Sequence, residues 1–227
     1  MSRIFPPRSR EYFLVASFVV AGIVVIGIAA TSYYATPAYT RVGYEPRQPI
    51  SFSHKLHAGD LNIDCRHCHN HVGDSPHANI PSVQTCLNCH GTKWGNVAAQ
   101  SHALKPLRDA EETGRPLEWA RVHKVPEYAY FNHAVHVKRG VSCVSCHGRI
   151  DQMEVVRQAE PLSMSWCLEC HMAPEQHLRP RSELTNMEYG LDTNSNPNAA
   201  QEAAELGAQL VAEKNINPPI HCSACHR

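Results

Sequence analysis

Apolar positions are distributed unevenly along this chain. From Phe13 to Tyr34 the sequence FLVASFVVAGIVVIGIAATSYY runs without a charge. At 1.5 Å per residue such a stretch covers roughly 33 Å, enough to cross a bilayer. Its length predicts a retained transmembrane anchor at 13–34 rather than the shorter apolar region of a cleaved signal peptide, although the small residues of AATSYYAT at 29–36 would suit cleavage. Arg3, Arg8 and Arg10 precede it, against Glu11 alone. That bias places residues 1–12 in the cytoplasm and the remainder across the membrane. Residues 35–50, with Pro37, Pro46 and Pro49, read as an extended tether.

Beyond the tether the apolar pattern thins. Leu, Ile and Phe are sparse there, whereas Pro, Asn, Ser and His are plentiful. One soluble stretch has clear helical character: Asn198–Lys214, NAAQEAAELGAQLVAEK. Pro197 and Asn198 suit its start, and Ala203, Leu206 and Leu210 form an apolar stripe for packing on the rest of the chain. Residues 179–197 before it read as an extended arm. The expected fold class is therefore mostly irregular and α, with one N-terminal transmembrane helix and little or no sheet. A core built from side chains alone would be thin.

Charge adds an exclusion. Lys plus Arg and Asp plus Glu both number 21, so no basic excess points to nucleic acid. The ten Cys and 16 His change the picture further. Every cysteine falls in one pattern: Cys65/Cys68/His69, Cys86/Cys89/His90, Cys143/Cys146/His147, Cys167/Cys170/His171 and Cys222/Cys225/His226 are each CxxCH. This is the attachment signature of c-type heme. Two thiols add across the two vinyl groups of one porphyrin, and the following histidine binds the iron as proximal ligand. A disulfide framework gives no reason for a histidine after each pair, and paired zinc knuckles would leave the fifth site over. Five hemes c would supply the missing apolar core.

A second motif precedes two of the five. Phe52–His57 reads FSHKLH and Phe131–His136 reads FNHAVH. His54 lies 11 positions before Cys65, and His133 lies ten before Cys143. Each motif is followed by two CxxCH sites whose first cysteines are 21 or 24 apart. This is an internal duplication of a two-heme unit, 51–95 and 129–178, joined by 96–128. HxxH on a helical turn puts both rings on one face, and one histidine for each heme is the economical use of His54, His57, His133 and His136 as distal ligands. His67 and His71 lie too near their own CxxCH to serve it. His77, His102 and His177 read as surface or hydrogen-bonding residues, and no spacing rule assigns His123 or His221. Trp94, Trp119 and Trp166 are read as packing against porphyrin edges.

FxHxxH followed by CxxCH resembles the multiheme cytochromes of the c3/c7 class over about residues 51–171. That resemblance implies that His54 serves the heme of Cys65/Cys68, His57 that of Cys86/Cys89, His133 that of Cys143/Cys146 and His136 that of Cys167/Cys170, a swap between units remaining open for His57 and His136. In the triheme c7 pattern the last distal ligand sits just upstream of the preceding CxxCH. Met164 stands nearest that place, with Met in place of His, and is the candidate for the heme of Cys222/Cys225; Met153, Met187, His123 and His177 are rivals. The full layout, one anchor, two diheme units and a fifth site, resembles the membrane-anchored pentaheme cytochrome c subunit of alternative complex III. That family implies a bacterial inner-membrane protein with a periplasmic heme domain. It also implies as partners an iron–sulfur, molybdopterin-oxidoreductase-like large subunit, quinol-oxidising membrane subunits, a monoheme cytochrome c subunit and a periplasmic electron acceptor.

Six-coordinate hemes exchange electrons but leave no open iron for substrate. The leading expectation is thus an electron-transfer subunit rather than an enzyme in its own right. A stand-alone membrane-anchored quinol dehydrogenase is the alternative, weakened by the tether between anchor and first heme. A multiheme reductase of nitrite or sulfur compounds would need an open iron and a catalytic constellation that the sequence lacks.

Overall fold

The computed structural model describes residues 6, 8–34, 36–93, 95–190 and 196–226. Trp94 and residues 191–195 of the arm lie outside the described residues. The chain divides into two compact units, Met1–Arg41 and Val42–Arg227.

In the first unit, Ser9–Tyr34 is one continuous helix with no buried residue. It begins one turn earlier than the uncharged run, because Arg10 and Glu11 are good helix formers. A window of this helix has mean hydropathy 2.8, and it is long and apolar enough to cross a membrane.

The second unit is built of short helices and irregular chain. Among the described residues there are no strands, only two isolated bridges, Ala129 with His226 and Val141 with Leu178. This agrees with the sequence: no segment offers the alternation of a half-buried strand. Part of the expected tether belongs to this unit. Ile50 is buried in a cluster with Leu87 and Leu107, against which Val83, Leu104, Leu117 and Trp119 pack. The Gln48 side chain donates to the Ala120 carbonyl at 3.0 Å and accepts from the Ala120 amide at 2.9 Å. The connecting stretch 96–128 therefore folds back on residues 51–95. Its helix Lys105–Thr113 lies against helix Val83–His90.

The C-terminal helix runs Ala199–Glu213, with Leu210 buried and Ala203 and Leu206 half-buried. It packs on the short turn Pro174–His177. Gly207 sits where the Glu175 carbonyl approaches, and a Cβ there would collide with that oxygen. The chain is drawn as close at Gly140, which ends helix His133–Arg139 at φ 102°. A residue other than glycine would be strained in that conformation. Its carbonyl accepts from the Arg179 amide at 3.0 Å.

Candidate heme-binding sites

All five CxxCH stretches lie on helical turns: Cys65–Cys68, Val83–His90, Val144–His147, Met164–Met172 and Cys222–Cys225. On such a turn the two cysteines, three apart, share one face. At His69, His147 and His226 the amide donates to the first cysteine's carbonyl at 2.9 Å, closing the turn beneath the histidine. Local capping explains two of these starts. The Asp64 carboxylate accepts from the Arg66 amide at 2.8 Å, and the Ser163 hydroxyl accepts from the Trp166 amide at 3.3 Å. None of the ten cysteines is joined to another in a disulfide.

The ten cysteines are not equivalent in exposure. Cys89 and Cys222 are exposed while the other eight are half-buried. Helix geometry accounts for Cys89. The helix Val83–His90 buries Leu87 in the cluster with Ile50 and Leu107. At about 100° per residue, Cys89 lies about 200° around the helix from Leu87 and so faces away from that cluster. Cys86, only about 100° from Leu87, keeps a half-buried position beside it. The Cys89 backbone is nonetheless held: its carbonyl accepts from the Val97 amide at 2.8 Å. Cys222 follows the exposed pair Ile220 and His221 and opens the turn Cys222–Cys225.

The histidines are oriented from behind. His69 Nδ1 lies 2.6 Å from the Asn79 carbonyl, His90 Nδ1 2.7 Å from that of Val97, and His171 Nδ1 2.8 Å from that of Pro219. His57 and His136 make the same contact to Ser53 and Asn132, both at 2.8 Å, and His133 to Pro76 at 2.9 Å. A nitrogen facing a carbonyl oxygen must carry the hydrogen. Each of these six rings is thereby held as the Nδ1–H tautomer with its Nε2 lone pair free, the arrangement a metal-bound histidine needs.

The rings also meet in pairs. Centroids lie 6.1 Å apart for His57 and His90, 6.2 Å for His136 and His171, and 6.5 Å for His133 and His147. Two imidazoles on opposite sides of one metal, each bonded at about 2 Å, have centroids roughly 6 Å apart. Burial lowers His54 to about 4, and the strongest charge that this ring feels is that of His69. Its Nδ1 is buried without a hydrogen-bond partner. Burial pushes His133 and His136 down as well. Burial thus favours the neutral form of these three rings, the form that has a lone pair to offer.

Sequence reasoning gave the phenylalanine of FxHxxH no role. Phe52 stacks on His57 at 4.4 Å and meets His54 edge-on at 4.8 Å. Phe131 repeats this, stacked on His136 at 4.8 Å and edge-on to His133 at 4.7 Å. One aromatic ring thus wedges both histidines in each half. The backbone around the first pair is a π-turn, Lys55–Asp60, and around the second an α-helix, His133–Arg139. The repetition of the phenylalanine in both halves was the available signal.

The two halves dock reciprocally. The Lys55 amide donates to the Met153 carbonyl at 3.0 Å, and the Ala134 amide to the Ser75 carbonyl at 3.1 Å. Met153 and Ser75 each stand six residues past the histidine of the other half's first CxxCH, 147 to 153 and 69 to 75. Each HxxH turn therefore rests on the loop behind the other half's first site. At the centre Cys65 and Cys143 are near enough for each to shift the other's pKa, Cys65 up and Cys143 down. Thr185 adds a bond to Asp64 at 2.9 Å. A cavity of about 450 Å³ opens beside Cys65, lined among others by Ala58, Asn62, Thr185 and Met187.

The remaining thiols extend the row. Cys68 feels the charge of Cys89, Cys86 that of Cys68, Cys146 that of Cys170 and Cys167, and Cys167 that of Cys225. Cys89, though exposed, is therefore within reach of the first site. Burial pushes Cys146 up to about 12. The Tyr130 amide donates to the Cys225 carbonyl at 2.7 Å, tying the last CxxCH to the segment just before Phe131–His136. Met164 opens the Met164–Met172 helix, one turn before Cys167, and is 61% exposed. Met153 and Met187 are buried. His71 is paired with Asp74 at 3.3 Å. His123 lies against His147, its Nε2 3.3 Å from His147 Nδ1. Trp119 packs in the protein cluster around Leu107.

Among known proteins, the chain is 30% identical over 103 residues to the multiheme cytochrome c subunit of the menaquinone reductase of Nitratidesulfovibrio vulgaris. This chain resembles a multiheme cytochrome c subunit of a quinone oxidoreductase. The matched stretch is 45% of this chain and 47% of that protein, about half the length of each. No family model matches the chain.

Proposed function

We propose that this chain carries five covalent hemes c and passes electrons along them as the electron-transfer subunit of a membrane quinol:electron-acceptor oxidoreductase of the alternative complex III type. The carrying observation is the contiguity of the five CxxC pairs. Neighbouring thiols run Cys86/Cys89, Cys65/Cys68, Cys143/Cys146, Cys167/Cys170, Cys222/Cys225 without a gap. The sites of the two halves meet in the middle, and the fifth CxxCH stands at one end. The two exposed thiols, Cys89 and Cys222, belong to the two ends of this row.

The residues fit the group. Paired thiols share a helical face, six rings present a free Nε2, and three histidine pairs have the spacing of axial ligands. In this reading His69, His90, His147, His171 and His226 are proximal ligands. His57, His133 and His136 face His90, His147 and His171, in keeping with the unswapped assignment, and His54 serves the site of His69. Met164 is proposed for the fifth site. Bound heme would supply one-electron exchange; the cysteines would attach it, and the histidines named above would hold the iron.

The helix Ser9–Tyr34 is proposed as a single-pass inner-membrane anchor, its N-terminus cytoplasmic and Val42–Arg227 periplasmic. An iron–sulfur, molybdopterin-oxidoreductase-like subunit, quinol-oxidising membrane subunits and a monoheme cytochrome c would flank the chain, with a periplasmic cytochrome c or copper protein as acceptor. The relative's name also concerns quinone chemistry, in the reducing direction. Gentle purification from membranes tests the reading. The expected result is a complex whose subunits include these partners, with five hemes on this chain by intact mass. A lone chain that reduces its own hemes with quinol would favour the stand-alone quinol dehydrogenase instead.

A further inference from the structure

Of the CxxCH histidines whose Nδ1 contacts the structure defines, three face a backbone carbonyl. The fourth does not. His147 Nδ1 lies 3.3 Å from Nε2 of His123, with ring centroids 4.4 Å apart and planes at 78°. Such a close, edge-on approach cannot be that of two ligands on one iron, which would stand roughly 6 Å apart. The His133 ring already occupies that distance from His147, at 6.5 Å.

This inference rests on the heme reading above. With iron on His147 Nε2, the ring's hydrogen must sit on Nδ1, so His147 donates and His123 Nε2 accepts. His123 is then a neutral imidazole with its own hydrogen on Nδ1. We propose that His123 is a positioning residue for the heme of Cys143/Cys146: it accepts the Nδ1 hydrogen of His147, fixes that ring, and lowers the midpoint potential of that one heme. The neighbours of His123 suit a fixed acceptor. Val122 is buried beside it, and the His123 carbonyl accepts from Arg121 Nε at 3.1 Å.

The sign follows from charge. A good acceptor at Nδ1 makes the ligating imidazole more basic, and a more basic ligand stabilises ferric over ferrous iron. An imidazole nitrogen is a stronger base than a peptide oxygen, so this site, third along the chain and central in the row, is set apart from those held by carbonyls.

The test is a redox titration of the full-length protein in its membrane complex, wild type against His123→Phe and His123→Gln. Low-spin state is read by EPR, and heme content by the mass of the peptide bearing Cys143 and Cys146. His123→Phe is expected to keep five hemes, all low-spin, and to shift one midpoint upward while four stay. His123→Gln, which keeps an acceptor, is expected to shift it less. Unchanged midpoints in both variants overturn the proposal. So does a new high-spin, carbon-monoxide-binding heme in either variant, which would make His123 an iron ligand. Loss of the heme from both variants would make the residue structural and also overturn it. A wild-type peptide bearing no heme would instead overturn the heme reading itself.

Discussion

His133 donates from Nδ1 to the carbonyl of Pro76, 2.9 Å away in space and 57 positions earlier in the chain. A side chain proposed as ligand in the second diheme unit is thus oriented by a loop of the first. The His133 amide bonds the same carbonyl, at 3.2 Å, and the Ala134 amide bonds Ser75. The units consequently do not behave as beads on a string. His133→Ala is expected to leave five hemes attached, because attachment needs only the cysteines. One heme of five should become high-spin and bind carbon monoxide, and folding stability should fall by about 1 kcal/mol for the lost interunit bond. Absorption and EPR spectra of the purified variant check this. Five low-spin hemes would remove His133 from the ligand set.

The wedging phenylalanines give a second expectation. Phe131 holds His136 by stacking and His133 by its edge, each contact worth about 1 kcal/mol. Phe131→Ala should leave both rings in place on average but free to turn. Two hemes of five should then show broadened low-spin EPR signals and faster ligand exchange, with heme content unchanged. Phe52→Ala should do the same to the other pair of sites. A variant with sharp, wild-type signals would reduce the phenylalanine to filler.

These two cases mark what the sequence made legible. The CxxCH sites, the duplication and the C-terminal helix were readable because each depends on residues close in sequence: a helical turn, a repeat, an apolar stripe. Three of the histidine pairs inferred from resemblance stand 6.1, 6.5 and 6.2 Å apart between ring centroids. What was not legible is long-range. Nothing local tells that Gln48 reaches Ala120, that Pro76 holds His133, or that His123 lies behind His147. Nor could spacing reveal that the 96–128 stretch folds onto the first unit, since that depends on Leu107 and Leu87 finding one another. The same packing of Leu87 turns Cys89 outward, a difference among the ten thiols that identical motifs conceal. Backbone carbonyls that orient histidines carry no residue signature at all.

Asp64 provides a pH-dependent expectation. Its carboxylate bonds Arg66 through two guanidinium nitrogens at 2.8 and 2.7 Å, caps the Cys65 turn, and accepts from Thr185. The Arg66 side chain chiefly holds its pKa below the ordinary carboxylate range. A group depressed in the folded state contributes stability above its unfolded pKa of about 4 and loses it as pH falls below that value. The side chain is 40% exposed, so solvent screening limits the ion pair, and cap and pair together are worth about 1 kcal/mol. Asp64→Asn should be less stable than wild type by up to that amount at pH 7. The gap should narrow as pH drops below about 4. Denaturant titrations at several pH values check it; a gap that stays constant with pH would mean that the charge on Asp64 contributes nothing.

The fifth site yields the last expectation. Met164 lies one helical turn before Cys167, and the Cys167 thiol feels the charge of Cys225. The helix that Met164 opens therefore passes near the final CxxCH at Cys167, and Met164 is the residue proposed as that site's further ligand. Its side chain is 61% exposed and fills no protein core, unlike Met153 and Met187, which are buried at 4% and 6%. Burial in protein weakens those two rivals; exposure leaves Met164 free to approach an iron. Thioether ligation raises a heme's potential relative to a neighbour with two histidines. If Met164 holds that iron, Met164→His should keep five low-spin hemes and lower one midpoint potential, leaving four in place. Met164→Ala should instead open one iron to carbon monoxide. A redox titration of Met164→His that superimposes on wild type, together with a Met164→Ala protein that binds no carbon monoxide, would assign the ligand to another residue.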